Sequence, residues 1–360
     1  MPLLQVCLLS DNPFLDYLGC IVKKYDAIVW LYTVNQKKMI TPIEKKLSQE
    51  NSIFFEKRDV SKNDLYQFGE SCKQVIKDYP DHEIILNVTG GTRAQALIAA
   101  DIFKAAQNKV IFVEPEHSKI VDIQTGELTD FHDNLIVNEY FALYDLEVES
   151  GVRFDPEVGK RSALSYYIGN NIRIIVPFLD KRNTEWATMD ENKADKEWKI
   201  EKGDVKFTID YIHEKNQMNV SFGNGEKQHS LTLKDNGPEY FFRGGWLREL
   251  MFLRVHKSQY DDVRLDIRLS RDSLPRGERM ESMIDIAMMK RGRFYIFQCF
   301  SFPITRESFV ELNSIGKTME LLNAHGFVIM AHKPHKGFID RAHSAGVKVV
   351  YGDRISSFNI

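Results

Sequence analysis

The sequence predicts an α/β protein in three segments: a parallel sheet wrapped by helices (residues 1–149), a small α+β connecting module (150–238) and a second mixed α/β domain (239–360). Three observations carry that expectation. Up to residue 145, short β-branched or apolar runs alternate with stretches of helical spacing. From Ser150 the character shifts to a charged stretch and then to runs that alternate apolar and polar residues, the mark of an antiparallel sheet. Beyond Pro238, helices and strands interleave again. A chain of 360 residues divides naturally into two or three domains, and with 43% hydrophobic and 28% charged residues each has enough apolar surface for a core.

In the first segment the expected strands are Leu4–Leu9, Ala27–Thr33, Ile53–Asp59, Ile84–Val88 and Val110–Glu114. The intervening helices are Pro13–Lys24, Thr41–Glu50, Ser61–Asp78 and Thr92–Gln107, with Thr41 and Ser61 as expected N-caps. Ser118–Leu128, with a turn at Thr125-Gly126, suggests a closing hairpin. In the middle segment helices precede runs at Val205–His213, Gln217–Phe222 and His229–Leu233, with a turn at Gly223-Asn224-Gly225. The last segment reads as helix Gly244–Lys257, strands Asp262–Leu269, Ser282–Lys290 and Phe294–Phe300, helix Thr305–His325, strand Phe327–Ala331, helix Gly337–Ser344 and strand Lys348–Tyr351.

Composition narrows the function. The amino terminus lacks the positively charged region and small-residue cleavage site of a signal peptide, and no run approaches the ~18 apolar residues of a membrane span, so a soluble, cytoplasmic protein without membrane partners is expected. Cys7, Cys20, Cys72 and Cys299 are scattered, which argues against a disulfide framework or a structural metal site. The formal charge of −3 excludes a global basic field, so an anionic ligand has to be held locally.

Two turns are equipped for that. Ser10-Asp11-Asn12-Pro13 follows the first strand, with Pro13 suited to the first turn of a helix. Asn87-Val88-Thr89-Gly90-Gly91-Thr92-Arg93 follows the fourth; its glycines permit close backbone approach, its threonines offer hydroxyls and Arg93 adds charge at a helix start. In a doubly wound sheet both lie at the carboxyl ends of strands, where ligands bind. The second turn is neither GxGxxG nor a P-loop, so it indicates neither a dinucleotide cofactor nor ATP hydrolysis.

With Leu31-Tyr32-Thr33 ending the second strand, these turns resemble the CARF domain, the CRISPR-associated Rossmann-like fold. The resemblance implies a homodimer with one composite pocket for cyclic oligoadenylate, tetra-adenylate being favoured. Ser10, Asp11 and Asn12 would line one side, and Thr89, Gly90, Gly91, Thr92 and Arg93 the base. Arg93 stands where the family commonly has lysine. Some CARF domains cleave their own ligand, so a ring nuclease is one of the readings left open.

The last segment resembles a PD-(D/E)xK restriction-endonuclease-like domain: Gly244-Gly245-Trp246-Leu247-Arg248-Glu249 opens a helix, Ile284-Asp285-Ile286 lies on a strand, and Tyr295-Ile296-Phe297-Gln298-Cys299-Phe300 on the next. The resemblance implies metal-dependent cleavage of DNA or RNA, with Glu249, Asp285 and Gln298 as catalytic residues and Glu249 and Asp285 as ligands for Mg²⁺ or Mn²⁺. The chemistry departs from that frame. Gln298 stands in place of glutamate, Phe300 in place of lysine, and Arg248 where a second glutamate is frequent. Lys290 and Lys317 are the alternative ammonium sources. A cyclic-oligoadenylate-sensing effector with an active nuclease domain and a catalytically degenerate sensor that binds nucleic acid or protein both remain open. His332 and His335 read as loop residues, and Met288, Met289, Phe294, Tyr295 and Phe297 as core.

Overall fold

The computed structural model of the chain describes residues 1–49, 52–114, 119–131, 135–153, 155–188, 195–234, 237–256, 260–270 and 283–358. The chain divides into two compact units, the first Met1–Val148 with two short later pieces, the second most of the chain from Glu149 onward.

The first unit is built on a seven-stranded sheet: β1 (Leu3–Leu8), β2 (Ala27–Tyr32), β3 (Phe54–Asp59), β4 (Glu83–Asn87), β5 (Lys109–Glu114), β6 (Lys119–Asp122) and β7 (Leu128–Asp130), in the order β3-β2-β1-β4-β5-β6-β7. β1 to β5 run parallel; β6 and β7 are antiparallel additions. β2 is buried throughout, as a strand covered on both faces must be, whereas β3 at the edge reads FFEKRD and leaves Phe54 exposed. The helices are α1 (Pro13–Ile21), α2 (Lys37–Ser48), α3 (Leu65–Asp78), α4 (Arg93–Ala105) and the short α5 (Val137–Leu143). One apolar core joins Val6, Leu8, Val29 and Leu86 of the sheet to Phe68, Cys72, Val75 and Phe103 of α3 and α4. The strand order reverses between β1 and β4, which makes their carboxyl ends the topological switch point.

Two caps differ from the sequence expectation. Thr41 is not an N-cap, because α2 starts at Lys37 after a 3₁₀ turn at Val34–Gln36. Thr41-Pro42 imitates a cap followed by a first-turn proline, yet Pro42 sits in the second turn of the helix. Ser61 is displaced from its expected role by Asp64, whose carboxylate accepts the Gln67 N–H at 2.9 Å; the Ser61 hydroxyl accepts the Asp64 N–H instead.

In the second unit α6 (Pro156–Asn170) and α7 (Ile172–Ala187) pack on a four-stranded antiparallel sheet of β9 (Lys196–Lys202), β10 (Val205–Ile212), β11 (Gln217–Asn224) and β12 (Lys227–Lys234). β10 alternates strictly between buried and half-buried positions, and Phe207, Ile209 and Tyr211 of β10 with Val220 and Phe222 of β11 form the covered face of the sheet. The hairpin turn falls at Gly225-Glu226, starting on the last residue of the expected triplet, since Asn224 still pairs with Lys227. β9, with the sequence KEWKIEK, was hidden from pattern reading by its charges. The short helix α8 (Gly237–Tyr240) and a kinked turn lead to α9 (Trp246–His256).

The second sheet runs β17-β16-β15-β14-β13-β8, from β8 (Val148–Val152), β13 (Asp262–Leu269), β14 (Met283–Lys290), β15 (Arg293–Phe300), β16 (His325–Met330) and β17 (Lys348–Tyr351). α10 (Arg306–Leu322) and α11 (Lys336–Ser344) connect its last three strands, which are parallel. Residues of the segment expected to be a connecting module share one apolar core with the rest of this unit, running from Val158 through Phe207 and Trp246 to Ile355. Met288, Phe294, Tyr295 and Phe297 are buried as expected. Of the expected elements, Glu50, Ser118, Lys257 and Ser282 lie outside the described residues. Among the described residues no helix is long and apolar enough to cross a membrane.

One buried charge of this core has no carboxylate among its described contacts. Arg182 of α7 is 1% exposed and lies over Trp186 (4.6 Å), Trp198 (5.2 Å) and Phe242 (5.2 Å), while its side chain reaches the Asn183 amide oxygen and the Met218 sulfur. Burial pushes its pKa down to about 10. The ring contacts are worth about 2 kcal/mol and desolvating the cation costs several. Arg182→Met is therefore expected to unfold at no lower temperature than the parent, and Arg182→Ala, which leaves a cavity, to lose about 2–4 kcal/mol in chemical denaturation.

Candidate functional site

The two turns singled out in the sequence stand side by side at the switch point. Cys7 of β1 is in register with Asn87 of β4, and beyond that pair the Gly91 N–H donates to the Leu9 carbonyl at 3.0 Å. A Cβ on Gly90 would lie 2.1 Å from the Leu8 carbonyl oxygen, 2.8 Å from the Ser10 nitrogen and 2.9 Å from Asp16 Oδ1, so no side chain fits there. Gly91 adopts φ +76°, the left-handed backbone that turns the chain into α4. Thr92 then caps α4: its hydroxyl accepts the Gln95 N–H at 3.2 Å and Gln95 Oε1 accepts the Thr92 N–H at 3.0 Å, a reciprocal capping box. Thr89 is tied back: its N–H and hydroxyl both donate to Asn87 Oδ1, and its oxygen accepts the Val113 N–H.

Across the crevice Asn12 caps α1 by accepting the Phe14 and Leu15 N–H groups, and also accepts the Tyr144 hydroxyl at 3.0 Å. The Ser10 hydroxyl is shared with the Asn12 backbone. Asp11 is exposed and accepts from Gln36 Nε2 at 3.3 Å; that amide also donates to the Leu9 carbonyl at 3.1 Å, and its oxygen closes on Thr33. A groove of about 490 Å³ opens at the carboxyl ends of β2 and β3, lined by Thr33, Asn35, Asp59, Ser61, Lys62 and Gln67 among others. Arg93 occupies the first helical position of α4, exposed, with neither an ion pair nor a hydrogen bond from its side chain among the described residues. Thus Ser10, Asp11 and Asn12 come together with Thr89 to Arg93, most of their polar atoms bonded to one another and one cation left to solvent.

Asp16 was missed in the sequence, although a lone carboxylate among Phe14, Leu15, Tyr17 and Leu18 was its signal. It is 2% exposed and accepts the Ser10 N–H with both oxygens at 3.1 Å. Burial raises its pKa from 3.8 to about 8, against the lowering effect of that bond. An acid raised in the folded state holds its proton more tightly there than in the unfolded chain, so stability present below about pH 4 is progressively lost as pH rises toward 8. Asp16→Asn is expected to flatten the fall in melting temperature between pH 5 and pH 8, and an unchanged slope would remove Asp16 as its source. Gly90→Ala is expected to cost roughly 1–3 kcal/mol or more, because the group it meets is backbone.

In the second unit the three residues expected to act on a metal have separate partners. Glu249 on α9 is wholly buried and takes three bonds from Arg161 of α6, at 2.7, 3.0 and 3.1 Å. Burial raises its pKa and Arg161 opposes the rise. Asp285 on β14, also wholly buried, accepts the Cys299 N–H at 2.7 Å, while Arg248 Nε stands 3.1 Å from its other oxygen. Burial lifts Asp285 to about 7 against the pull of Arg248. Gln298 is turned to a cavity of about 10 Å³, the size of one water, shared with Ile284, Ile296, Ile315 and Thr318. Phe300 packs on Phe338 of α11. Of the alternative lysines, Lys290 ends β14 five residues from Asp285, on the order of 16 Å along a strand, and Lys317 is exposed in a groove between α10 and α11. His332 Nε2 stands 3.2 Å from Asp180 Oδ2, and His335 caps α11.

The glycines before α9 are needed for packing. Gly244 has φ +124° and its Cβ would be 2.6 Å from Ser301 Oγ, and a Cβ on Gly245 would meet the Tyr240 ring at 2.5 Å. Among the described residues no group of three or more His, Cys, Asp or Glu side chains is placed to hold a metal ion. With Glu249 engaged by Arg161 and Asp285 by Arg248, the residues as arranged do not fit Mg²⁺ or Mn²⁺.

The fold agrees with that of other proteins. Residues 5–140 match the family model of the Card1 CARF domain, the part of the chain that holds both turns. Over 98% of its length the chain has the fold of Can2 from Sulfobacillus thermosulfidooxidans, solved in complex with cyclic tetra-adenylate, at a TM-score of 0.71, 17% identity and 96% coverage of that chain. It shares the fold of protein VC1899 from Vibrio cholerae at a TM-score of 0.75, 15% identity and 98% and 95% coverage of the two chains. A type III CRISPR defence DNA nuclease activated by cyclic oligoadenylate matches 92% of this chain with 45% of its own, at a TM-score of 0.55 and 13% identity. No curated protein matches the chain by sequence.

Proposed function

We propose that the protein is a cytoplasmic, homodimeric sensor of cyclic oligoadenylate, tetra-adenylate above all, acting in type III CRISPR antiviral defence. The observation that carries this reading is the paired turn at the switch point: Gly90 seated against the end of β1, Thr89 and Thr92 fixed by their own bonds, and the Arg93 guanidinium at a helix N-terminus without a partner among the described residues. An exposed cation at the start of a helix suits a phosphodiester ring. The match of residues 5–140 to the Card1 CARF domain and the fold shared with a cyclic tetra-adenylate complex support it.

For the second unit we favour a nuclease-like domain that binds nucleic acid or a protein partner without metal-dependent cleavage. The separate arginine partners of Glu249 and Asp285 support this reading, as does Phe300, which cannot replace an ammonium. Ligand binding would act on this unit through differential affinity for two states.

Thermal shift and calorimetry with cyclic tetra- and hexa-adenylate test the sensor. The expected outcome is a rise in melting temperature with the tetra-adenylate ring, lost in Arg93→Glu, whose own stability changes by no more than about 0.5 kcal/mol because the site is exposed. No shift with either ring would overturn the assignment. Incubation of labelled ring without metal separates a sensor from a ring nuclease. Cleavage of plasmid or single strands with Mn²⁺ and ligand would restore Glu249, Asp285 and Gln298 as catalytic residues.

A further inference from the structure

Two acidic side chains of the second unit meet on one guanidinium. Arg248 Nη1 stands 3.5 Å from Asp266 Oδ1, and its Nε 3.1 Å from Asp285 Oδ1. Asp285 is fully buried, and its Oδ1 receives no aimed hydrogen bond, so this oxygen is neutralised by charge alone. Asp266 lies within β13 at φ +51°, a left-handed conformation uncommon for a residue with a side chain, and the Tyr240 hydroxyl steadies its second oxygen at 3.3 Å. A strained strand residue and an under-bonded buried oxygen, both turned to one point, describe an oxygen-ligand cation site. Arg248 fills that point and is itself 25% exposed, which leaves a route to solvent.

We infer that Arg248 is the resident cation of this site, standing between Asp266 and Asp285 where a divalent ion binds once the guanidinium is removed. Glu249 takes no part, being held by Arg161. Asp266, which no motif singled out, does. Because a guanidinium keeps its proton at any working pH, no change of pH vacates the site. The chain therefore carries a hard-cation site that is closed by one of its own side chains. The inference holds whether or not the first unit binds a cyclic nucleotide.

The test is Mn²⁺ titration of the full chain, reading free Mn²⁺ by electron paramagnetic resonance and melting temperature in parallel. Arg248→Gln leaves two carboxylates facing each other, so it is expected to melt lower in the presence of a chelator, to bind Mn²⁺ about tenfold more tightly than the parent, and to regain its melting temperature on binding. Asp266→Asn in that background is expected to abolish the gain, and millimolar methylguanidinium to compete with Mn²⁺ for the vacated place. Equal Mn²⁺ affinity in parent and Arg248→Gln overturns the inference, as does a gain that survives Asp266→Asn. Should Arg248→Gln not fold, Arg248→Lys decides: a single ammonium cannot span both carboxylates, so its Mn²⁺ affinity should exceed the parent's, and equality again overturns the inference.

Discussion

The closeness of Gly90 to the end of β1 is the constraint on which the amino-terminal unit depends, because a Cβ there would sit inside contact distance of the Leu8 carbonyl and the Asp16 carboxylate together. With that contact in place, the turn after β4 closes on the turn after β1 through the Gly91 N–H, and α4 starts where Thr92 can cap it. Asp16 completes the arrangement from below by accepting the Ser10 N–H. The polar side chains of both turns are thereby fixed before any ligand arrives, which lowers the ordering cost of binding. Among the described residues nothing engages the charge of Arg93.

The second unit solves a different problem. Its core spans helices and two sheets and contains carboxylates and guanidiniums that cannot be left unpaired in a low-dielectric interior. Arg161 answers Glu249 with three bonds, Arg248 answers Asp285 and Asp266, and Arg182 is held against Trp186, Trp198 and Phe242. Side chains that a nuclease frame would direct at a metal are thus part of the charge balance of the fold. Gln298 and Phe300 carry no charge and face α10 and α11 respectively.

Much of the architecture was legible because periodicity reports burial. The all-apolar β2 reads as an interior strand, the strict alternation of β10 as a half-covered one, and Asn12-Pro13 and Thr92 as helix starts. The misreadings have local causes. Thr41-Pro42 looks like a cap because propensity cannot count turns from a 3₁₀ entry, and Lys196–Lys202 escapes notice because its strand needs only Trp198 buried.

By itself, the sequence determined the order of most elements and the switch-point turns with Ser10 to Asn12 and Thr89 to Arg93, since each depends on residues adjacent in the chain. Only the tertiary structure decided that Asp16 lies under Ser10, that Arg161 engages Glu249 across 88 residues, and that Asp266 and Asp285 share Arg248. Those pairings arise where distant segments are buried against one another, and the cost of an unpaired buried charge selects the partner, a choice that no local pattern encodes.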